Sequence, residues 1–574
     1  MTDDALLEAA QRWIEGDPDP TTAGELAALV AARNLPALRE RLERPLDFGT
    51  AGLRGLVGAG PGRMNRAVVM RATRAVADYL RAHVPDAGTL PVVIGFDGRT
   101  SSRALAEAAI AVLCAARIPV RYFAEPVPTP MVAYALRQLA GTAGIVITAS
   151  HNPAEYNGYK LYARNGAQII SPTDQDIETR IEALGAASGI PSAPFTWGDA
   201  SDLVSPVPAS MTERYLSEID AIRPRGLADR SIRIVYTPMH GVGGALALRA
   251  LERAGFSNVT VVPEQAVPDG TFPTAHFPNP EDPAVLALAL ALAKTERADL
   301  VLANDPDADR LAVCISTPAG RFIPLSGNQI GILLGDFMIQ QAPPAPRRLV
   351  VSSIVSSPMM AAVAAAYGAR FEQTLTGFKW IWNAAMRLEE TEGVRLAFAY
   401  EEAIGYSAGH FVRDKDGISA AVYFAELAAE CTAEGESVLE RLGALYRRHG
   451  VWVSAQSTVT RTGVQGPSEI LHAVDRVASA PPTSIGELAV VEVTDFRVGA
   501  DARPSWLGST PLVVLSLGDS GRVLIRPSGT EPKLKIYVDL CGKAEGEADI
   551  WKAEAALREK AAHLANEVVT YLGF

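Results

Sequence analysis

Three times along this chain an apolar, β-branched run leads into a polar loop, then a stretch with helical spacing, then a second apolar run. The first unit, PVVIGFDGRTSSRALAEAAIAVLCAARIPVRYFA, starts near Val92; IRIVYTPMHGVGGALALRALERAGFSNVTVVP starts near Ile232; LVVSSIVSSPMMAAVAAAYGARFEQT starts near Leu349. Units this far apart do not stack as a short-repeat solenoid. They predict three mixed α/β domains of similar plan, because alternating strands and helices favour largely parallel strands joined by crossover helices. Each polar loop then falls at the carboxyl end of a strand, where sheets of this kind bind ligands.

Outside these units the texture differs. Residues 5–45, with ALLEAAQRWIEG and LPALRERLERP, place apolar residues at helical spacing. A Gly-rich loop, LDFGTAGLRG, follows and carries Arg54. Towards the C-terminus, VWVSAQSTVTRT, LAVVEVTDF, PLVVLSLGD, GRVLIRPSGT and LKIYVDL read as strands with little helix between them, and DIWKAEAALREKAAHLANEVVTYL reads as a closing helix. The expectation is a fourth domain of the α+β kind. Stretches at 186–206, 316–325 and 448–455 mark the boundaries, giving domains at 1–205, 206–318, 319–450 and 451–574.

A chain of 574 residues, 48% hydrophobic and 21% charged, can bury several cores without disulfide or metal staples. Its net charge of -12 argues against broad nucleic-acid binding, which relies on Lys and Arg to neutralise phosphates. A small phosphorylated ligand remains open, since a local pocket can be basic on an acidic protein. The four cysteines, Cys114, Cys314, Cys431 and Cys541, are scattered and form no CxxC, which predicts reduced, mostly buried thiols and a cytoplasmic setting. The acidic start, Met1-Thr2-Asp3-Asp4, does not read as a signal peptide. The longest apolar run, Ala284 to Ala293, is too short to span a bilayer, so no membrane partner is expected, and its Ala/Leu content predicts a buried helix.

The chemistry concentrates in the polar loops. TASHNPAEYNGYK, Thr148 to Lys160, follows the apolar strand Gly144 to Ile147 and gathers Ser150, His151, Asn152, an Asn-Gly turn pair and a lysine. Ser150 is not in a G-x-S-x-G context, which disfavours a hydrolase nucleophile elbow. A serine hydroxyl needs a base, a metal or a nearby charge to act as a nucleophile. In NDPDADRLAV, Asp305, Asp307 and Asp309 alternate after the strand DLVLA, and three such carboxylates can converge on a hard cation. An EF-hand is excluded, because Arg310 stands where glycine is needed and Ser316 where the bidentate glutamate would be.

FAYEEAIGYSAG places Glu401 and Glu402 after an apolar run, a pair able to accept hydrogen bonds from vicinal sugar hydroxyls. TLTGFKWIWN adds Lys379 as a cation for a phosphate or a proton donor. RPSGTEPKLKIY supplies Arg526, whose fork of N–H donors grips phosphate, with Ser528 and Thr530 hydroxyls and a close-approach Gly529. The same residues also read as a turn between two strands.

In this order, TASHNP, DPDADR, EEAIGY and RPSGTEP resemble the α-D-phosphohexomutase superfamily, the phosphoglucomutase and phosphomannomutase enzymes. GTAGLRG, TPMHGVGG and TLTGFK support the resemblance, which covers essentially the whole chain. The fuller strings LDFGTAGLRG, NPAEYNGYKLY, NGAQIISP and TLTGFKW are most similar to the phosphoglucomutase-2 type branch, which includes bacterial phosphoglucomutases and enzymes acting on pentose phosphates.

The resemblance implies four domains around a central active-site cleft, the last with a TATA-binding-protein-like fold. It implies a phosphoryl group on Ser150 and Mg2+ held by Asp305, Asp307, Asp309 and an oxygen at Ser150. Glu401 and Glu402, with Thr376 and Gly377, would bind the sugar; Arg526, Ser528, Gly529 and Thr530 would hold its non-reacting phosphate; Arg310 and His240 would add substrate contacts. Lys160, Lys379, His151 and Arg54 are candidates for proton traffic and charge offset, and the sequence does not rank them. One departure stands out: relatives usually read Glu-Glu-Ser in the sugar loop, and here the third position is Ala403.

The implied activity is interconversion of glucose 1-phosphate and glucose 6-phosphate, with glucose 1,6-bisphosphate as activator and intermediate, in a monomer or homodimer. Phosphomannomutase or phosphopentomutase activity by the same mechanism is the alternative. A metal-dependent phosphohydrolase and a non-catalytic sugar-phosphate sensor stand further off, since a sensor needs no nucleophile.

Overall fold

The structure, a computed structural model, describes residues 1–47, 52–223, 229–317, 319–461, 466–528, 533–543 and 547–574. The chain divides into two compact units, one formed by Met1–Arg223, Arg230–Phe322 and His410–Val422, the other by Ile323–Gly409 and Tyr423–Phe574.

The first unit opens with three helices, Asp3–Gly16, Pro20–Ala31 and Leu35–Leu42, as the spacing predicts. Thr2, Asp19 and Asn34 cap them by accepting backbone N–H bonds. Leu6, Ala10, Leu26, Leu38 and Leu42 close a small core of their own.

Two sheets follow. The first has the order Leu53–Leu56, Tyr156–Ala163, Ala143–Ile147, Val92–Phe96, Val120–Tyr122, Val204–Pro206. Ile94 joins the core shared with helices Arg66–His83 and Ser102–Ala115, while a Cβ at its neighbour Gly95 would strike Val132 of helix Thr129–Gln138. Successive strand residues point to opposite faces, so helices cover both faces of this sheet.

The prediction of largely parallel strands holds for the pairings of Val92–Phe96 and Val120–Tyr122. It fails for Tyr156–Ala163, which runs antiparallel to both neighbours. The connection from Ala143–Ile147 is a loop without a helix, and a parallel return requires a crossover. The Asn157–Gly158 pair is also not a turn. It lies inside that strand, where a Cβ on Gly158 would sit 2.6 Å from the carbonyl oxygen of Thr148 and 2.7 Å from that of Leu53. The glycine therefore serves close strand approach.

The second sheet repeats the scheme. Ile234–Thr237 is parallel to Val259–Val261 and to Leu300–Asn304, and Leu311–Ser316 returns antiparallel through the aspartate loop. The apolar run at Ala284–Ala293 becomes a helix only from Ala287 to Glu296, and of its residues Ala289 and Ala293 are buried. It is a surface helix with one covered face, not the buried helix its composition predicts.

In the second unit a sheet ordered Arg370–Thr374, Arg348–Ser353, Arg395–Glu401, Gly405–Ala408 is flanked by helices Gly327–Gln341 and Phe378–Glu392. The C-terminal sheet is wholly antiparallel, in the order Val451–Thr460, Lys533–Gly542, Gly521–Pro527, Val513–Ser516, Glu492–Asp495. Helix Glu547–Tyr571 closes it, so the α+β expectation is met. The expected scarcity of helix between these strands is not: Gly466–Ser479 is an amphipathic helix burying Ile470, Ala473, Val474 and Val477. The fold thus comprises three α/β domains and a C-terminal α+β domain.

All four cysteines are free thiols, and three of them are buried. Among the described residues no helix is long and apolar enough to cross a membrane.

Candidate active site

The first unit brings Ser150 and the aspartate loop together. Ser150 follows the end of strand Ala143–Ile147, is 3% exposed, and has φ of +52°, the left-handed conformation that turns the chain out of the sheet. Its Oγ donates to Asp305 Oδ2 at 2.7 Å and lies 3.1 Å from His151 Nδ1.

A buried lattice holds this loop in place. Arg99 donates from Nη2 to the carbonyl oxygens of Ser150 and Asn152 at 2.7 and 2.6 Å, and from Nη1 to those of Pro153 and Tyr156 at 2.6 and 3.0 Å. Its Nε donates to Asp97 Oδ2 at 3.1 Å. Asp97 also accepts from Thr148 Oγ1 and Ser102 Oγ, and Thr148 Oγ1 accepts the Ser150 N–H at 2.9 Å.

Asp305, Asp307 and Asp309 are buried, and a ligand oxygen of each lies within 4.8 Å of the others. Alternate positions on a tight loop put the three carboxylates on one side. Lys160 Nζ stands 2.8 Å from Asp307 Oδ2 and 2.8 Å from Asp309 Oδ2. Lys415 Nζ adds a contact of 3.1 Å to Asp309 Oδ2, and Thr129 Oγ1 donates to Asp307 Oδ2 at 2.7 Å. The Oδ1 atoms of Asp307 and Asp309 are buried without a hydrogen-bond partner. Orphaned carboxylate oxygens beside a serine hydroxyl are the donor set of a hard divalent cation such as Mg2+, so the residues fit the ion.

The charges in this cluster work against one another. Burial, with Asp307 and Asp309 close by, pushes the Asp305 carboxyl well above the usual carboxylate range. Burial also works against ionised Asp309, but Lys160, Lys415 and Arg310 outweigh it and hold that carboxyl low. Asp307 ends low as well, with burial and Asp309 raising it and Lys160 lowering it further. Burial, then Arg310 and Arg54, hold His151 well below the ordinary imidazole value, so it is neutral. Burial lowers Lys160, yet the neighbouring aspartates raise it by more and keep it an ammonium.

Two other predicted residues of this unit, Arg54 and Arg310, gather here. Arg54 Nη1 donates to Asn152 Oδ1 at 3.2 Å, and its buried Nε has no partner. The Arg310 N–H donates to Asp305 Oδ1 at 3.0 Å. His240 is not in contact with the aspartates through any described bond; its Nε2 lies 2.8 Å from Thr274 Oγ1.

The second unit assembles the sugar-loop residues. Gly377, with φ of +118°, donates its N–H to Glu401 Oε1 at 2.7 Å. Glu402 Oε2 accepts from Ser353 Oγ at 3.1 Å, and the Glu402 N–H donates to Ser356 Oγ at 3.1 Å. Thr376 Oγ1 is buried without a partner. Lys379 is buried at the start of helix Phe378–Glu392, its Nζ 5.8 Å from the Trp380 ring centre.

Arg526 lies near the end of strand Gly521–Pro527, opposite Lys535. Burial and the Glu402 charge raise the Tyr537 phenol while Arg526 lowers it, so one tyrosine senses both the sugar loop and the phosphate strand. The Ser528 N–H donates to the Lys533 carbonyl at 2.7 Å. Gly529 and Thr530 lie outside the described residues.

Sequence reasoning missed Asp97, Arg99, Thr129 and Lys415. Asp97 and Arg99 sit in GFDGRTSS, a polar loop at a strand end like those that were singled out. Lys415 belongs to RDKDG, anchored by Tyr162 OH and Gln168 Nε2, which both donate to Asp414 Oδ2.

Comparison with known proteins agrees with this architecture. Models described as phosphoglucomutase/phosphomannomutase, alpha/beta/alpha domains I, II and III, match residues 45–187, 213–318 and 326–449, and that of the C-terminal domain matches 488–557. The chain is 36% identical over 569 residues to a phosphopentomutase of Mus musculus, covering 94% of this chain and 91% of the relative. It is 36% identical over 495 residues to a probable phosphomannomutase of Haemophilus influenzae, covering 86% and 96%. A crystal structure of a putative phosphomannomutase from Thermus thermophilus shares the fold, with a TM-score of 0.67 at 22% identity over 91% of this chain and 99% of the other. With all four domains matched in order, the chain is a phosphosugar-mutase enzyme and belongs to the phosphoglucomutase/phosphomannomutase family.

Proposed function

We propose that the protein interconverts glucose 1-phosphate and glucose 6-phosphate through a phosphoserine at Ser150 and a bisphosphorylated sugar. The observation that carries this is the placement of Ser150 Oγ 2.7 Å from Asp305 Oδ2, beside two further buried carboxylates and Lys160. Phosphoryl transfer needs positioning and charge stabilisation more than covalent chemistry from the protein.

The Arg99 lattice fixes the backbone that presents Oγ. A sugar hydroxyl attacks the phosphorus, the bond to Ser150 Oγ breaks, and a proton returns to Oγ. Neutral His151, 3.1 Å from Oγ, is placed to hold that proton, and Lys160 is an ammonium that offsets charge on the phosphoryl group. Asp305, Asp307, Asp309 and the serine oxygen would hold Mg2+, which when bound would further neutralise charge on the phosphoryl oxygens. Glu401 and Glu402 accept hydrogen bonds from the sugar. Arg526 and Ser528 read phosphate rather than the rest of the ring, which lets the bisphosphate bind in either orientation. Four scattered free thiols fit a reducing compartment, and we place the protein in the cytoplasm.

Pentose phosphates are the second reading, favoured by the relative named phosphopentomutase and by Ala403, which lacks the serine hydroxyl usual at that position. The test is intact mass and phosphopeptide mapping after incubation with glucose 1,6-bisphosphate, then initial rates on glucose, mannose, ribose and glucosamine 1-phosphates. A phosphate on the Ser150 peptide and the highest rate on glucose 1-phosphate are expected. A higher rate on ribose 1-phosphate replaces glucose by a pentose; phosphate release without sugar isomerisation replaces the mutase by a hydrolase.

A further inference from the structure

The segment Thr271–Asp282 holds none of the residues assigned above, yet it touches the site at three points. Glu281 Oε2 lies 3.3 Å from Arg310 Nη1, and the Arg310 N–H reaches Asp305. Thr274 Oγ1 lies 2.8 Å from His240 Nε2 and accepts from Gln265 Nε2 at 2.9 Å. Between these fastenings stands Phe277, whose ring meets that of His151 edge to face, with centroids 5.8 Å apart and an interplanar angle of 78°. His151 Nδ1 is the group beside Ser150 Oγ.

Phe277 is 39% exposed. A single exposed aromatic is ordinary on a protein surface. This one differs by its position, since its ring contacts the imidazole that adjoins the candidate nucleophile, in the edge-to-face arrangement that aromatic pairs favour.

A phosphoserine enzyme must hold its phosphoryl group while it waits for a sugar, and water is the competing acceptor. Hydrolysis would break the bond between phosphorus and Ser150 Oγ, put the water oxygen on phosphorus, return a proton to Oγ and release inorganic phosphate. The imidazole placed to hold the proton during transfer to a sugar would serve transfer to water equally well if water reached it. Excluding water by an apolar group suppresses such side reactions. Resting on the phosphoserine enzyme proposed above, we infer that Phe277 is a positioning residue that covers His151 and keeps water from the phosphoryl group on Ser150.

The experiment compares full-length wild type, Phe277→Ala and Phe277→Tyr, each phosphorylated with glucose 1,6-bisphosphate and freed of excess sugar. Inorganic phosphate release without acceptor is followed alongside single-turnover transfer to glucose 1-phosphate. In Phe277→Ala, release rises about tenfold while transfer changes much less, and Phe277→Tyr, which keeps the ring, restores wild-type release. Unchanged release in Phe277→Ala overturns the inference, as does a parallel fall of release and transfer with a lowered melting temperature, the mark of a purely structural role. A wild type that takes no phosphoryl group at Ser150 overturns the phosphoserine enzyme itself, and the phosphopeptide map separates that outcome from the others.

Discussion

Ser150 Oγ and Asp305 Oδ2 stand 2.7 Å apart although 155 residues separate them in the chain. Each follows a strand of a different sheet, so neither local loop creates the contact alone. A serine turn and an acidic turn, unremarkable separately, become a site because two sheets present their carboxyl ends to one another within the first unit. Ser150→Ala removes the only oxygen of that pair able to carry a phosphoryl ester. Turnover in a coupled mutase assay is expected to fall by at least about 10³-fold, with sugar-phosphate affinity measured by calorimetry little changed. Wild-type turnover in this variant would contradict a phosphoserine mechanism.

The aspartate triad predicts a pH-dependent cation affinity. Burial and its neighbours raise the Asp305 carboxyl, so without an ion it holds a proton to higher pH than an ordinary aspartate. A divalent cation must displace that proton, so affinity rises with pH. Titration of the chelator-treated protein with Mn2+ at several pH values is expected to show tighter binding and a diminishing proton release as pH increases. Asp305→Asn removes the titrating group and flattens the dependence; a wild-type affinity independent of pH would count against the site.

Much of this was legible in the sequence for a physical reason. Strand–loop–helix units announce themselves by periodicity, and polar residues at strand ends have few roles besides binding, so Ser150, the three aspartates and the Glu401–Glu402 pair stood out. Close backbone approach left no such mark. Asn157–Gly158 has turn composition but serves strand packing, because the space beside Gly158 is taken by two carbonyls. Arg99 and Lys415 were hidden for another reason. Their partners are backbone carbonyls and a carboxylate far along the chain, and a sequence does not show which charges end up buried together. The helix Gly466–Ser479 was missed where strand-like segments on both sides suggested little helix between them.

Arg99 yields the third prediction. Its guanidinium spans four carbonyls and Asp97, which a lysine ammonium cannot do from one point. Arg99→Met leaves Asp97 buried without its cation and should lower stability by about 3–5 kcal/mol. Arg99→Lys retains the charge but lets the Ser150 loop drift, and kcat is expected to fall about 10²-fold with a smaller change in KM. A lysine variant with full kcat would show that the loop holds its shape unaided.

Gly377 tests the sugar side. A Cβ there would meet nothing closer than 3.6 Å, so space is not the obstacle. The backbone is: φ of +118° disfavours any L side chain and costs about 1–3 kcal/mol. Gly377→Ala should relax the turn and withdraw the N–H that orients Glu401. The expected result is a KM for glucose 1-phosphate raised about tenfold, with Ser150 phosphorylation by the bisphosphate least affected. An unchanged KM would mean that Glu401 does not need this donor.

Asp416 gives a stability test independent of catalysis. It precedes helix Gly417–Glu434, accepts the N–H groups of Ile418 and Ser419, and takes the Tyr215 hydroxyl at 2.8 Å. Burial nonetheless outweighs these donors and pushes its carboxyl up to about 6. A folded-state value above the unfolded one means that the native chain binds the extra proton. The group's contribution is therefore complete below the unfolded value near 3.8 and is lost as pH rises through about 6. The loss amounts to about 3 kcal/mol. Asp416→Asn keeps an acceptor for the two helix N–H groups and presents no charge to bury. Its melting temperature relative to wild type should therefore become more favourable between pH 4.5 and pH 7.5, conditions that bracket the titration. A difference that stays constant over that range would mean that Asp416 is ionised in the folded protein throughout, held down by its hydrogen bonds rather than raised by burial.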